Sequence, residues 1–228
     1  MERVVAAISL GCYRRTSHSF NNFSMTLLLT GFPRFADVER NPSEQIVSAL
    51  DGSVIGGAEV VGRVLPVSAE RMPDAVRAAI AETEPTLTLL LGVAPGRPGL
   101  SIERTAVNLF DFPAPDNDGA QPVDLPIEAG APVAYFATLP LRRIVEAWEA
   151  AGIPGYVSDT AGLYLCNAAM YTALHAAAAG GPPAGFLHLP SLPEEVAGQP
   201  APQPSMPLAT QIEGVRIALE TSLAALVA

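Results

Sequence analysis

At 228 residues, with 49% hydrophobic and 16% charged side chains, the chain has the balance of one globular domain with a full core. Its 23 Asp and Glu stand against 13 Arg and no Lys, giving a net charge of −10, which argues against nucleic acid or an anionic membrane as the main partner. The absence of lysine also excludes Schiff-base chemistry and a P-loop phosphate site. No apolar run reaches the ~18 residues of a membrane span.

Residues 1–24 carry little packing pattern. Val4 to Ile8 is too short for the core of a signal peptide, and Arg14-Arg15 leads into no long apolar stretch, so the segment reads as a disordered extension ahead of a domain over 25–228. Thr26–Thr30 is a buried-strand run ending at Gly31, and Asn41-Pro42-Ser43 opens a helix to about Leu50 with Ser43 as its cap. Glu59–Leu65 predicts a strand, Ala69–Glu82 a helix with Met72, Val76 and Ile80 on one face, and Leu87–Leu91 a second buried strand broken at Gly92. Leu100–Leu109 alternates like a strand, and the Pro, Asp, Asn and Gly of 112–132 predict an exposed hairpin or long loop. A strand over Val133–Thr138, a helix over Leu141–Ala151 and a short strand at Gly155–Val157 follow. Ala161–Ala179 is a long Ala-rich helix, Phe186–Leu189 closes the sheet, 190–207 is a Pro-rich loop, and Leu208–Leu226 is an amphipathic helix. Strands alternating with crossover helices predict an α/β domain whose mostly parallel twisted sheet is covered by helices on both sides.

Chemistry concentrates in three places. The chain has two cysteines, Cys12 and Cys166, and three histidines, His18, His175 and His188. Two cysteines build no disulfide framework, and a reducing cytoplasm is the simpler setting. A lone cysteine on an apolar helix is usually a small hydrophobe. Here Ser158, Thr160 and Gly162 place Cys166 about one turn into its helix, where the dipole favours a thiolate and backbone N–H groups can meet an oxyanion. His188 ends its strand before Pro190, where sites gather in open α/β sheets. The rival base, His175, lies nine residues beyond Cys166 on the same helix, about 13 Å along its axis and out of reach. Glu103 interrupts an apolar strand and is either paired with Arg97 or Arg104, or buried against a histidine that it orients. The scattered histidines and cysteines give no metal-ligand spacing, and no cofactor is indicated.

These segments together resemble pyroglutamyl peptidase I, the pyrrolidone-carboxylate peptidases of cysteine peptidase family C15. G-V-A-P-G-R-P-G-L-S-I-E-R-T-A-V-N is similar to the family's glutamate motif, I-P-G-Y-V-S-D-T-A-G-L-Y-L-C-N-A-A-M-Y to its cysteine motif, and G-F-L-H-L-P to its histidine segment. T-G-F-P-R-F-A-D-V-E-R-N-P-S resembles the loop lining the family's pyroglutamate pocket. The resemblance implies a phosphorylase/hydrolase-like fold and removal of an N-terminal 5-oxoproline from peptides, with Cys166 as nucleophile, His188 as base and Glu103 as the orienting acid. It also implies a pocket in which Phe32 and Phe35 sandwich the lactam and Asn41 is a polar group, with Val93, Tyr164 and Leu165 beside it. It further implies a homo-oligomer, dimer or tetramer, with 112–132 and the C-terminal helix as candidate contacts.

The chain also departs from the family. The loop glycines are replaced by Ala36 and Asp37, a Gln of many members is Val93, and an oxyanion-assisting Arg ten residues after the glutamate is Pro113. Arg97 or Arg34 could substitute for it. These departures leave two further readings, a cysteine amidohydrolase with a changed acyl pocket and a non-catalytic binding homologue.

Overall fold

The computed structural model describes residues 25–34 and 41–227. The expectations for 1–24, Cys12, His18 and Phe35 lie outside the described residues. In chain order the elements are β1 (Thr26–Gly31), α1 (Pro42–Leu50), β2 (Val54–Ile55), β3 (Ala58–Val64), α2 (Met72–Thr83), β4 (Leu87–Val93), β5 (Leu100–Glu103), β6 (Thr105–Val107), β7 (Ala134–Phe136), α3 (Leu141–Ala150), β8 (Gly155–Ser158), α4 (Leu165–Ala178), β9 (Ala184–Leu189), α5 (Pro193–Val196) and α6 (Leu208–Leu226).

Seven strands form one sheet in the order β2-β3-β1-β4-β9-β5-β8. Strands β3, β1, β4 and β9 run parallel; β5 is antiparallel to β9 but parallel to β8, and β2 hairpins back onto β3. The expected α/β sandwich is therefore present. Strand β9 completes the sheet from within, between β4 and β5, rather than at an edge.

The alternation of side chains along each strand builds two separate cores. Leu27, Leu29, Leu89, Leu91, Ile102 and Leu187 point to one face and pack with residues of α1, α3 and α6, including Ile46, Trp148 and Leu219. Leu90, Ala184 and Phe186 point the other way, toward α2 and α4. A strand buried on both faces needs apolar residues throughout, and β4 and β9 are the near-continuous runs that follow.

Four local expectations are corrected. Helix α1 is capped by Asn41, not Ser43: the Asn41 Oδ1 accepts from the Ser43 backbone N–H at 3.0 Å, while the Ser43 hydroxyl accepts from the Phe32 backbone N–H at 3.0 Å. The single strand expected over 100–109 divides at Arg104, and β6 leaves the main sheet to pair with β7. Asn167 draws it away, its Oδ1 accepting from Val107 N–H at 2.9 Å and its Nδ2 donating to the carbonyls of Val107 and Leu109. The segment 112–132 is not wholly exposed. Phe112 is buried, and the enclosed Asp116 carboxylate accepts from the backbone N–H groups of Ala69, Asp118 and Ala120, pinning the loop to the body. Finally, α4 begins at Leu165, so Cys166 stands in its first turn.

Candidate active site

The site forms where β4 and β9 end beneath the start of α4, the end of an α/β sheet at which ligands gather. Gly92 of β4 and His188 of β9 are partners in register. A Cβ at Gly92 would lie 2.9 Å from the Cys166 Sγ and 2.8 Å from the Phe186 Cζ, so the sulfur rests on bare strand backbone. Partners in register on adjacent strands, about 4.8 Å apart, present their side chains to the same face. His188 therefore rises beside the sulfur, its ring tilted against Phe186 with centroids 4.8 Å apart.

Strand β5 supplies the acid through its own alternation. Leu100 and Ile102 enter one core, while Ser101 and Glu103 face the other side, with Ser101 opposite His188 in register. Glu103 is fully buried, and its Oε1 accepts from His188 Nδ1 at 2.7 Å. An Nδ1–H held by a carboxylate fixes the tautomer and leaves Nε2 as the free base. The same Oε1 accepts from Arg97 Nη1 at 2.6 Å. Glu103 is thus both paired with Arg97 and buried against a histidine. Arg104 instead pairs with the exposed Asp159 at 3.0 Å.

The approach to α4 determines where the thiol sits. Gly162 adopts φ +79, a left-handed conformation suited to glycine, and its N–H donates to the Thr160 Oγ1 at 3.1 Å. The chain then extends through Tyr164 and enters the helix with no side chain capping it. The first backbone N–H groups of a helix lack intrahelical partners, and here they include that of Cys166.

Burial dominates the electrostatics. It pushes the Cys166 thiol up to about 12, with the nearby Glu103 charge adding to this and Arg97 opposing it. Burial holds His188 below the usual imidazole range, against Glu103 and with help from Arg97. Both shifts favour the neutral forms, a protonated thiol and an uncharged imidazole.

A hollow of about 300 Å³, including space open to solvent, adjoins the sulfur. Phe32, Asn41, Val93, Tyr164 and Leu165 line it together with Cys166, so every described residue expected at the pocket is brought there. Asn41 meets the hollow while its Nδ2 donates to the Pro33 carbonyl at 3.1 Å, which braces the rim against α1. Tyr164 packs on Phe112 with centroids 4.3 Å apart and donates to the Pro115 carbonyl at 3.2 Å, making the loop beyond Pro113 an outer wall. Sequence reasoning missed two lining residues, Gly92 and Val67. The glycine that breaks an apolar strand was a visible signal for the first, whereas nothing marked Val67. His175 is not part of the site: its Nδ1 lies 2.8 Å from the Tyr135 hydroxyl and its ring stacks on Tyr171.

A thiol from α4, an imidazole from β9 and a buried carboxylate from β5 are groups of the kind that cysteine hydrolases use. Comparison with known proteins narrows the class. A family model described as Pyroglutamyl peptidase matches residues 25–225. The pyrrolidone-carboxylate peptidase of Pyrococcus furiosus is 44% identical over 204 residues, covering 87% of this chain and 98% of that protein. That of Cupriavidus taiwanensis is 44% identical over 201 residues, covering 87% and 93%. A crystal structure of pyrrolidone carboxyl peptidase from Pyrococcus furiosus superposes with a TM-score of 0.87 at 43% identity, over 89% of this chain and all of that one. This chain belongs to the pyroglutamyl peptidase family, a family of cysteine peptidases.

Proposed function

We propose that the protein is a cysteine omega-peptidase that hydrolyses the amide bond after an N-terminal pyroglutamate. The observation that carries this reading is the meeting of three segments: the Cys166 sulfur over Gly92, His188 in register with that glycine, and Glu103 2.7 Å behind the imidazole. Substrate enters with its lactam in the hollow between Phe32, Val67, Val93 and Tyr164. A flat, uncharged ring suits walls that are mainly apolar. His188 Nε2 takes the thiol proton as the sulfur adds to the carbonyl carbon, and the oxyanion forms against the uncapped N-terminus of α4 and the Cys166 N–H. Collapse breaks the C–N bond, and the imidazolium returns its proton to the leaving amine. Water, deprotonated by His188, then adds to the thioester, and collapse releases pyroglutamate and restores the thiol. Glu103 orients the imidazole and stabilises the imidazolium in both halves.

Pro113 removes the donor expected from the resemblance, and turnover is accordingly attenuated, on the order of 10²-fold for one oxyanion donor. Arg97 is committed to Glu103 and Ser101 and is not a free replacement. Hydrolysis of pyroglutamyl-aminomethylcoumarin tests the proposal when compared with prolyl, acetyl and glutaminyl analogues. Turnover of the pyroglutamyl compound, abolished in Cys166→Ala and His188→Ala, is expected. Hydrolysis of only the other acyl groups would overturn the specificity.

We also infer a cytoplasmic homo-oligomer, a dimer or tetramer. The composition and cysteine usage favour the cytoplasm, and no helix among the described residues is long and apolar enough to cross a membrane. The exposed Val133 and Phe136 at β7, with Val123 and Leu125 on the preceding loop, supply apolar surface for self-association. Sedimentation equilibrium should give a mass above that of one chain, and Phe136→Asp should lower it.

A further inference from the structure

We propose that Arg97 is a positioning residue of the triad, which holds the Glu103 carboxylate with a single oxygen facing His188. The inference rests on the hydrolase reading above. It starts from the hydrogen bonds of a carboxylate that is fully buried. Glu103 Oε1 accepts from His188 Nδ1 at 2.7 Å and from Arg97 Nη1 at 2.6 Å, while Oε2 is buried with no hydrogen-bond partner among the described residues. With one donor alone, the carboxylate could rotate about its last bond and carry the imidazole with it. The second donor, on the same oxygen, fixes that rotation.

The guanidinium is itself anchored. Its Nη1 also donates to the Ser101 Oγ at 2.7 Å, and its Nη2 reaches the Thr160 carbonyl at 3.4 Å. Ser101 is the register partner of His188, and Thr160 forms the turn that sends the chain into α4 toward Cys166. One planar fork thus ties the acid's strand to the entry of the cysteine's helix. Its rigid geometry is what a lysine at this place would lack.

The charges have a consequence of their own. The charged or titratable groups meeting here are Glu103 from β5, His188 from β9, Cys166 from α4 and Arg97 from the β4–β5 loop, with Tyr164 facing Cys166 from the approach to α4. A positive charge at Arg97 disfavours imidazolium and favours thiolate. Arg97 therefore keeps the base free for the proton it must take, and its removal pushes His188 upward.

The experiment compares kcat and KM against pH on pyroglutamyl-aminomethylcoumarin for the full-length protein and the variants Arg97→Gln, Arg97→Lys, Glu103→Gln and Arg97→Gln/Glu103→Gln, each with a thermal melt. Arg97→Gln should lower kcat/KM on the order of 10- to 100-fold, mostly in kcat, the scale of one charged hydrogen bond. The acid limb of its profile should move to higher pH. Arg97→Lys should restore the limb but only part of kcat. In the Glu103→Gln background the Arg97→Gln change should cost less than about twofold, because its effect runs through that carboxylate. Fully additive losses, an unmoved acid limb, or a change confined to KM would overturn the proposal. Should Arg97→Gln melt below the assay temperature, Arg97→Lys decides: wild-type kcat there overturns the positioning role. If the wild-type protein itself leaves the pyroglutamyl substrate untouched, the functional reading fails. The Arg97 proposal is then judged on iodoacetamide alkylation of Cys166, whose pH profile should move upward in Arg97→Gln; an unmoved profile overturns it.

Discussion

The two faces of the sheet are made from the same strands yet built to different rules. On the face covered by α1, α3 and α6, strands β4, β5 and β9 present only apolar side chains, with Trp148 packed among them and donating its indole N–H to the Gly214 carbonyl at 2.8 Å. On the opposite face the same strands carry Gly92, Ser101, Glu103 and His188 beside Phe186, and α4 sets a thiol over the gap. Burial contributes stability on the first face. On the second it raises the cost of every charge, and Arg97 and Glu103 offset that cost through pairing. Period-two alternation lets one strand serve both purposes.

The contrast can be tested one face at a time. The largest effect is expected on the site face from Gly92→Ala. The new methyl competes for the space of the Cys166 Sγ, and kcat/KM should fall on the order of 10²-fold, as for misplaced reacting groups. Its melt should report only the overpacking against Phe186, about 1–3 kcal/mol. Full activity in Gly92→Ala would mean that the sulfur does not work from this seat. On the other face, Ile102→Ala should cost about 2–5 kcal/mol in denaturant unfolding, yet leave kcat within about twofold at a temperature where it is folded.

A sharper probe of the buried environment is the pH dependence of thiol alkylation. Because the Cys166 thiol is raised to about 12, it is protonated at neutral pH and becomes more reactive as pH rises. Iodoacetamide should label the resting protein more slowly than it labels free cysteine at pH 7, and the rate should still be climbing above pH 9. A plateau reached below pH 7 would reveal a resting thiolate–imidazolium pair and refute the neutral ground state. The smallest effect is expected far along α4. Tyr135→Phe removes the hydrogen bond to His175, and should cost about 0.5–1.5 kcal/mol with no change in the pH profile of turnover.

Much of the architecture was legible because periodicity is a local signal. The buried runs at Thr26, Leu87 and Phe186 read as strands, and the spacing of Val76, Leu219 and Leu223 marked helix faces. What was not legible depended on contacts distant in sequence. The central place of β9 follows from pairing with β4 and β5, strands that lie on the far side of α3 and α4 in the chain. The break at Arg104 is produced by Asn167, 60 residues from Val107. Asn167 is the polar neighbour of the cysteine on an otherwise apolar helix, and it serves β6. The Ala-rich segment begins its helix at Leu165 because Gly162 turns left-handed, which residue identity permits without requiring. At the candidate site, the motif resemblance named Phe32, Asn41, Val93, Tyr164 and Leu165 of the lining, together with the thiol, imidazole and carboxylate, but neither Gly92 nor Val67. It did not show that Arg97 and His188 share one carboxylate oxygen.

The bare patch of backbone at Gly92 has a further consequence for anyone reshaping this protein. Its floor cannot be redecorated without unseating the sulfur, so new acyl selectivity must be written into the rim. Val67 and Val93 are the natural first positions to randomise, since both line the hollow with apolar side chains.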